Sequence, residues 1–253
     1  MYKRIIVKVG TSVLSKKDGS IDTSVLKHLV EQVSKLKRKS VEVILVTSGA
    51  VGTGRTLLAS KDSSYIPEKQ MFAAVGQVQL MGTYAALFAK HGFICAQVLA
   101  TKEDFRDREH YVNMKNCLDR LLHKHVIPIV NENDVVAIEE LVFTDNDELA
   151  GLLAAQLRVD AVIILTSVDG ILADGKVIHR IDAKNAATFR KYITAEKSVG
   201  GRGGMVSKFA VARKLMSSGI AVHIANGKRK NTLTAIMQGR KIGTAFIPNR
   251  LRH

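Results

Sequence analysis

Residues 126–157 read VIPIVNENDVVAIEELVFTDNDELAGLLAAQL. The stretch opens on an apolar run, Val126 to Val130, that predicts a strand and empties into Asn131-Glu132-Asn133-Asp134. It closes on a helix through Leu157 whose first turn is Asp145-Asn146-Asp147-Glu148, with carboxylates where the helix dipole prefers them. Between the two, Val135 to Phe143 predicts a hairpin or edge excursion rather than a strand–helix–strand unit.

The same window is a chemical outlier. The chain carries formal net charge +15, yet no Lys or Arg falls within 126–157. Seven of its 23 carboxylates do: Glu132, Asp134, Glu139, Glu140, Asp145, Asp147 and Glu148. After Glu196 the chain has no acidic residue at all. Such a cluster first suggests a metal site, but the loops elsewhere in the chain give it another meaning.

Working outward, strand and helix patterns alternate. Arg4 to Val9 is a β-branched run ending in Gly10-Thr11-Ser12, and Asp22 to Lys39 carries Val25, Leu26, Leu29, Val33 and Leu36 at helical spacing. Val41 to Val46 predicts a buried strand running into a small-residue loop, Thr47 to Gly54. Pro67 opens a long helix that stops at Gly92; a strand over Phe93 to Leu99 and a helix over Tyr111 to His123 follow. Beyond the acidic window come a strand over Ala161 to Leu165 ending at Thr166-Ser167 and a mixed segment over Asp169 to Thr194. The glycine-rich run 200–204 then leads into a helix over Met205 to Ser217. Ala221 to Ile224, Thr232 to Met237 and Gly243 to Ile247 predict a strand, a short helix and a terminal strand. This alternation argues for an α/β fold with a mostly parallel sheet between helical layers, in one domain over residues 1–253 without a linker or repeat.

Bulk properties limit the function classes. Hydrophobic content of 46% with 24% charged residues suits a globular chain with a sizeable core. Cys95 and Cys117 have no ligand-like spacing and suit a reduced, cytoplasmic setting. The N-terminal apolar run is too short for a signal peptide, and no stretch is expected to approach the roughly 20 apolar residues of a membrane span. The pI near 9.9 raises nucleic-acid binding, but aromatics make up only 5% and the basic residues lie scattered over helices rather than interleaved with stacking side chains. Lys35 to Lys39 reads as the solvated last turn of a helix.

In a parallel sheet, ligands gather at the carboxyl ends of the strands. Four such ends carry polar or small residues: Lys8 to Ser12, Thr47 to Ala50, Asn131 to Asp134, and Thr166-Ser167. Small residues let backbone N–H groups approach an anion, and a following helix adds its positive end. The nucleotide-binding pattern Gly-x-x-x-x-Gly-Lys-Ser/Thr, the protein-kinase loops and Gly-x-Ser-x-Gly are absent, and the histidines lack metal spacing. Lys8, in an otherwise apolar strand, is either an edge lysine facing water or a cation held against a phosphoryl group. Lys208, early in the helix after the glycine loop, offers a second cation.

The motifs Lys8-Val-Gly-Thr-Ser, Thr47-Ser-Gly-Ala, Asn131-Glu-Asn-Asp, Asp145-Asn-Asp and Gly203-Gly-Met-x-x-Lys208, with the helix from Lys69 to Gln77, together resemble the amino acid kinase family, in its glutamate-phosphorylating branch. The resemblance runs from about residue 3 to residue 247 in the family's order. It implies a three-layer αβα sandwich with a mostly parallel sheet of about eight strands. The implied activity is phosphorylation of the γ-carboxylate of L-glutamate by ATP with Mg²⁺, the first step of proline synthesis, in a dimer or tetramer. On this resemblance Lys8, Gly10, Thr166, Ser167, Arg202, Gly203, Gly204, Met205, Val206, Ser207 and Lys208 bind ATP. Ser48, Asp134 and Asn146 hold glutamate in the N-terminal part, and Asp147 organises the catalytic lysines Lys8 and Lys208. The metal rides on the nucleotide phosphates, without a protein cage. The chain departs from the pattern at Thr166-Ser167, where the family often has Thr-Asp, and it ends at His253 without the small RNA-modification-type domain that many members append.

The chemistry agrees with the motifs. A carboxylate acceptor is ionised at neutral pH and needs no general base, so the work is bringing two anions together. Free glutamate also carries an ammonium that Asp134 suits, whereas an N-acetylated acceptor would leave that carboxylate unpaired. The remaining alternatives are family members acting on N-acetylglutamate, aspartate, carbamate or a nucleoside monophosphate and, from another class, a basic nucleic-acid-binding regulator.

Overall fold

A strand buried on both faces is apolar at nearly every position. β1 (Arg4–Val9), RIIVKV, keeps that rule except at Lys8. Successive side chains leave a strand on opposite faces, so Ile5, Val7 and Val9 pack with one set of helices while Ile6 packs with the other. Lys8 shares the face of Ile6. That parity decides which helices its ammonium can meet.

The computed structural model describes residues 2–61, 63–136, 145–193 and 204–249. β1 lies at the centre of an eight-stranded sheet flanked by β2 (Glu42–Val46) and β5 (Ala161–Thr166). β4 (Ile127–Glu132) and β3 (Cys95–Ala100) extend it beyond β2, while β9 (Ala221–Asn226), β10 (Thr244–Phe246) and the two-residue β8 (Arg180–Ile181) extend it beyond β5. All pairings are parallel except β9 with β10. The remaining strands, β6 (Leu172–Ala173) and β7 (Lys176–Val177), form a separate hairpin within the segment that the sequence left mixed. The first four strands therefore fill one half of the sheet and the later ones the other. They meet where β1 pairs with β5, the switch point at which a doubly wound sheet opens a crevice.

On the face of Ile5 and Val7 lie α1 (Thr11–Leu14), α2 (Thr23–Arg38), α4 (Ile66–Ala89) and α9 (Thr232–Met237), contributing Leu26, Val30, Leu80, Tyr84, Phe88 and Leu233. On the face of Ile6 lie α5 (Arg108–His123), α6 (Asn146–Leu157) and α8 (Met205–Ser217), contributing Leu118, Leu149, Leu153, Phe209 and Leu215. The three-layer α/β sandwich is the architecture expected. α7 (Ala186–Phe189) is a short turn of helix within the formerly mixed segment. Cys95 and Cys117 are both free thiols.

Two expectations are corrected. The loop from Thr47 is short, because α3 (Ala50–Leu57) begins immediately after Gly49, whose φ of 103° suits glycine. Gly52 and Gly54 disguised that helix, since glycine lowers helix propensity. In exchange Gly54 allows contact between backbones: a Cβ on it would lie 1.8 Å from the Phe72 carbonyl oxygen, and one on Gly76 would lie 1.9 Å from that of Ala50. The second correction concerns α4, whose 24 residues with mean hydropathy 1.3 over the most apolar stretch are long and apolar enough to cross a membrane. Here its apolar character serves packing, with Phe72, Ala73, Gly76, Leu80, Tyr84 and Phe88 buried against α3 and the sheet. The hairpin expected over Val135 to Phe143 lies mostly outside the described residues; Val135 and Val136 continue a turn after β4.

At the opposite end of the sheet from the loops, the hydroxyl of Tyr2 meets Nε2 of His223 at 3.0 Å. Burial pushes the His223 pKa down from 6.5 to about 4. The unfolded chain therefore binds this proton below its ordinary pKa of 6.5, while the folded chain resists it until about 4. The linked stability is complete above pH 6.5 and drains away as pH falls toward 4, by about 1–2 kcal/mol for a side chain that keeps some solvent contact. Urea unfolding of the wild type and His223→Gln over pH 4–7 measures it. The variant should show a flatter acid limb, and equal slopes would assign the acid sensitivity elsewhere.

Candidate active site

β1 ends at Lys8-Val9-Gly10, with the Gly10 N–H donating to the Leu165 carbonyl at 3.1 Å, so the loop is clamped across the switch point. A Cβ on Gly10 would sit 3.9 Å from the Lys8 ammonium, space that glycine leaves open for an anion beside that charge. Lys8 is only 4% exposed and is central, not an edge lysine facing water. Its parity turns it toward α6 and α8.

α6 starts where the sequence placed its acidic turn. Asp145 is the N-cap, its carboxylate accepting from the backbone N–H of Asp147 at 2.7 Å and of Glu148 at 3.2 Å. Two residues on, Asp147 is wholly buried and answers two cations: Oδ1 lies 2.6 Å from Lys8 Nζ and Oδ2 lies 3.0 Å from Lys208 Nζ. Both contacts are close ion pairs, so charge is what holds the three groups together. Burial alone would push the Asp147 pKa up; the charges of Lys8 and then Lys208 outweigh it and leave the carboxyl below its ordinary value. Asp145 goes the other way: burial raises its pKa, the Asp147 charge raises it further, and Lys8, Ser207 and Lys208 oppose only in part.

Lys208 is 7% exposed and stands in the first turns of α8, with its N–H donating to the carbonyl of the N-cap Gly204 at 3.4 Å. Among the described residues no N-cap side chain serves the start of α8, whose leading N–H groups suit an external acceptor. Arg202 and Gly203 lie outside the described residues. Thr166 ends β5 buried, its carbonyl taking the Gly227 N–H at 2.9 Å. Ser167 is exposed, and its carbonyl accepts from Asn226 at 3.4 Å. The carboxylate of this loop comes two residues later, at Asp169, which accepts from Asn226 Nδ2 at 2.9 Å and pairs with Arg229.

Across the crevice, the ends of β2 and β4 and the start of α6 come together. Asn146 Nδ2 lies 2.5 Å from the Thr47 carbonyl, 2.9 Å from Ser48 Oγ and 2.9 Å from Asn131 Oδ1. Asn131 Nδ2 donates in turn to Gln77 Oε1 at 2.9 Å. Asp134 sits partly buried in the turn that follows β4. Ser48 and Asn146 are thus in contact, with Asp134 on the adjoining strand end, while Lys8, Asp147 and Lys208 form a second cluster joined to the first through neighbouring residues of α6.

Sequence reading named Lys8, Asp147 and Lys208 and left three partners without a role. Asn131 was visible as the first residue of a strand-end motif. Asp169 announced itself only as a carboxylate before Gly170. Gln77 sits mid-helix, and its single signal was membership of the Lys69 to Gln77 segment.

Residues 3–226 match the profile described as the amino acid kinase family. Glutamate 5-kinase of Chlorobaculum tepidum is 49% identical over 252 residues, covering 98% of this chain and 70% of that protein. Glutamate 5-kinase of Bacteroides thetaiotaomicron is 44% identical over 257 residues, covering 98% and 71%. Among solved structures, carbamate kinase from Giardia lamblia bound to AMP-PNP aligns with a TM-score of 0.72 at 17% identity, over 98% of this chain and 99% of that one, a likeness of fold.

Neutralising the central carboxylate exposes its structural weight. Asp147→Asn leaves two buried ammonium groups facing each other, a cost of about 3–5 kcal/mol for an unanswered buried charge. Denaturant unfolding should show a loss of that size, partly recovered in the double variant Asp147→Asn/Lys208→Met. A change below about 1 kcal/mol would mean the lysines do not depend on Asp147.

Proposed function

The chain belongs to the amino acid kinase family, and within it we propose that it transfers the γ-phosphoryl group of ATP to the γ-carboxylate of L-glutamate, forming L-glutamyl 5-phosphate for proline synthesis. The single observation that carries the chemistry is Asp147 holding Lys8 and Lys208 side by side where the two halves of the sheet meet. The curated relatives named glutamate 5-kinase, 43–49% identical over 97–98% of this chain, favour glutamate as the acceptor.

ATP lies on the β5–β9 side, with its phosphates toward Lys8, Gly10, the start of α8 and Lys208. Thr166 lines the end of β5, and the loop carboxylate Asp169 takes the place that the family's Thr-Asp pattern would give to Ser167. Glutamate lies on the β2–β4 side. Ser48 and Asn146 hold it, and Asp134 answers its ammonium.

The glutamate carboxylate attacks as the anion it already is, so no side chain removes a proton. The two ammonium groups approach the transferring phosphoryl group from different elements and offset charge that grows on its oxygens. Both Asp147 oxygens are occupied by lysines, which leaves it neither a base nor a free metal ligand. Its task is to hold two like charges at fixed positions before substrate arrives. Mg²⁺ carried on the nucleotide phosphates supplies further neutralisation.

The whole described chain acts as one kinase domain, with a glutamate-binding N-terminal part and an ATP-binding C-terminal part. A cytoplasmic homo-oligomer fits a biosynthetic enzyme. Met71 and Val78 on α4 and Ile94 at the edge of the sheet are large apolar side chains left exposed for a subunit contact.

ADP release assayed across L-glutamate, N-acetyl-L-glutamate, L-aspartate, carbamate and UMP tests the reading. L-Glutamate should be the preferred acceptor, and preferred turnover of any other member would overturn it. In the same assay Asp134→Asn should raise the glutamate KM about tenfold or more with little change in kcat; a pure kcat effect would contradict the amine contact.

A further inference from the structure

Three amide side chains and one backbone carbonyl, from four separate parts of the chain, form one buried hydrogen-bonded line. It runs from the Thr47 carbonyl through Asn146 and Asn131 to Gln77 on α4. Asparagine and glutamine amides can be turned either way round, and here the direction is forced from one end. A backbone carbonyl only accepts, so the group that Asn146 presents to Thr47 must be its NH₂. That NH₂ also faces Asn131, which must answer with oxygen, because a second NH₂ would set donor against donor. Asn131 then turns its own NH₂ toward Gln77, and Gln77 must answer with Oε1. Every polarity in the line is set.

Two consequences follow at its ends. The Asn146 NH₂ has two hydrogens and three acceptors within reach: the Thr47 carbonyl, Asn131 Oδ1 and Ser48 Oγ. The Ser48 hydroxyl thus faces an NH₂ that cannot accept, and its own hydrogen is left to donate elsewhere. At the far end, Gln77 is 8% exposed, and its Nε2 is a buried donor without a partner among the described residues. Burying an amide donor unpaired costs about 1–3 kcal/mol. A nonpolar side chain of similar volume would avoid that cost but leave the buried Asn131 Nδ2 unpaired instead, so what glutamine supplies here is the acceptor for Asn131.

We propose that Gln77 is a positioning residue for the acceptor site: its Oε1 holds Asn131 in the one orientation that aims the Asn146 amide, and so leaves the Ser48 hydroxyl free to donate to the acceptor. This rests on the assignment of Ser48 and Asn146 to acceptor binding. The crossing of α3 and α4 fixes where Gln77 stands, because the adjoining Gly76 touches the backbone of Ala50, two residues beyond Ser48. The helix that packs beneath the acceptor loop therefore also sets its hydrogen-bond directions.

The test is Gln77→Met, which keeps length and volume and removes the acceptor. KM is measured for whichever acceptor of the panel above the wild type turns over, so failure with L-glutamate counts against that substrate without deciding the role of Gln77. The acceptor KM should rise about tenfold, with kcat and the ATP KM within about twofold and the fold retained at the assay temperature. An unchanged acceptor KM, or a joint loss of kcat, both KM values and stability, would overturn the proposal. If the methionine variant does not fold, Gln77→Glu decides, since its carboxylate still accepts from Asn131. It should hold the acceptor KM within about threefold of wild type, and a tenfold rise would refute the role.

Discussion

A carboxylate with no access to water must have its charge answered, and Asp147 is answered twice. Lys8 reaches it from the first strand and Lys208 from the eighth helix, at 2.6 Å and 3.0 Å. Burying an ammonium costs several kcal/mol unless a charge answers it, and Asp147 answers both. Asp147 in turn could not remain ionised without them. The three charges are mutually obligatory, and they tie together parts of the chain two hundred residues apart. If the crevice admits nucleotide as proposed, this arrangement keeps two cations in place before any phosphate arrives.

The fold exists around that constraint in a simple geometric sense. β1 sits at the centre of the sheet, where it is paired on both sides, and its alternation places Lys8 with Ile6 on the face covered by α6 and α8. α6 is held at its start by the Asp145 cap, which also fixes Asn146 and Asp147 as consecutive residues facing different tasks. One amide joins the acceptor loops and the neighbouring carboxylate joins the lysines. A single helical turn thereby couples the two halves of the crevice. The acidic window from 126 to 157 and the basic C-terminal quarter are segregated along the same line, which fits the proposed division into acceptor and nucleotide sides.

Much of this was readable in order along the chain. An otherwise unbroken apolar strand exposed Lys8 as an anomaly, capping chemistry placed the start of α6 at Asp145, and glycine and polar residues marked the strand ends. The misreadings share a cause: local signals were overruled by contacts made from elsewhere. Gly52 and Gly54 argue against a helix until the backbone of Phe72 and Gly76 approaches Gly54 and makes glycine necessary there. α4 reads as a membrane-length apolar segment until the sheet and α3 bury one side of it. Gln77, Asn131 and Asn146 are separated by up to 69 positions, so the polarity that one imposes on the next has no sequence signature. Asp169 was hidden for the same reason, since its partners Asn226 and Arg229 are more than fifty residues away.

The central claim is that the lysines gripped by Asp147 act on the transferring phosphoryl group rather than on nucleotide in general. Its most direct measurement is the affinity of ADP, Mg²⁺ and aluminium fluoride, a mimic of the phosphoryl group in flight, in the presence of acceptor, compared with that of a non-hydrolysable ATP analogue, for wild type, Lys8→Met and Lys208→Met. Each variant should lose about a hundredfold or more in affinity for the mimic while holding the ATP analogue within about fivefold. Equal losses for both ligands would show that the two cations serve ground-state binding and would contradict the account.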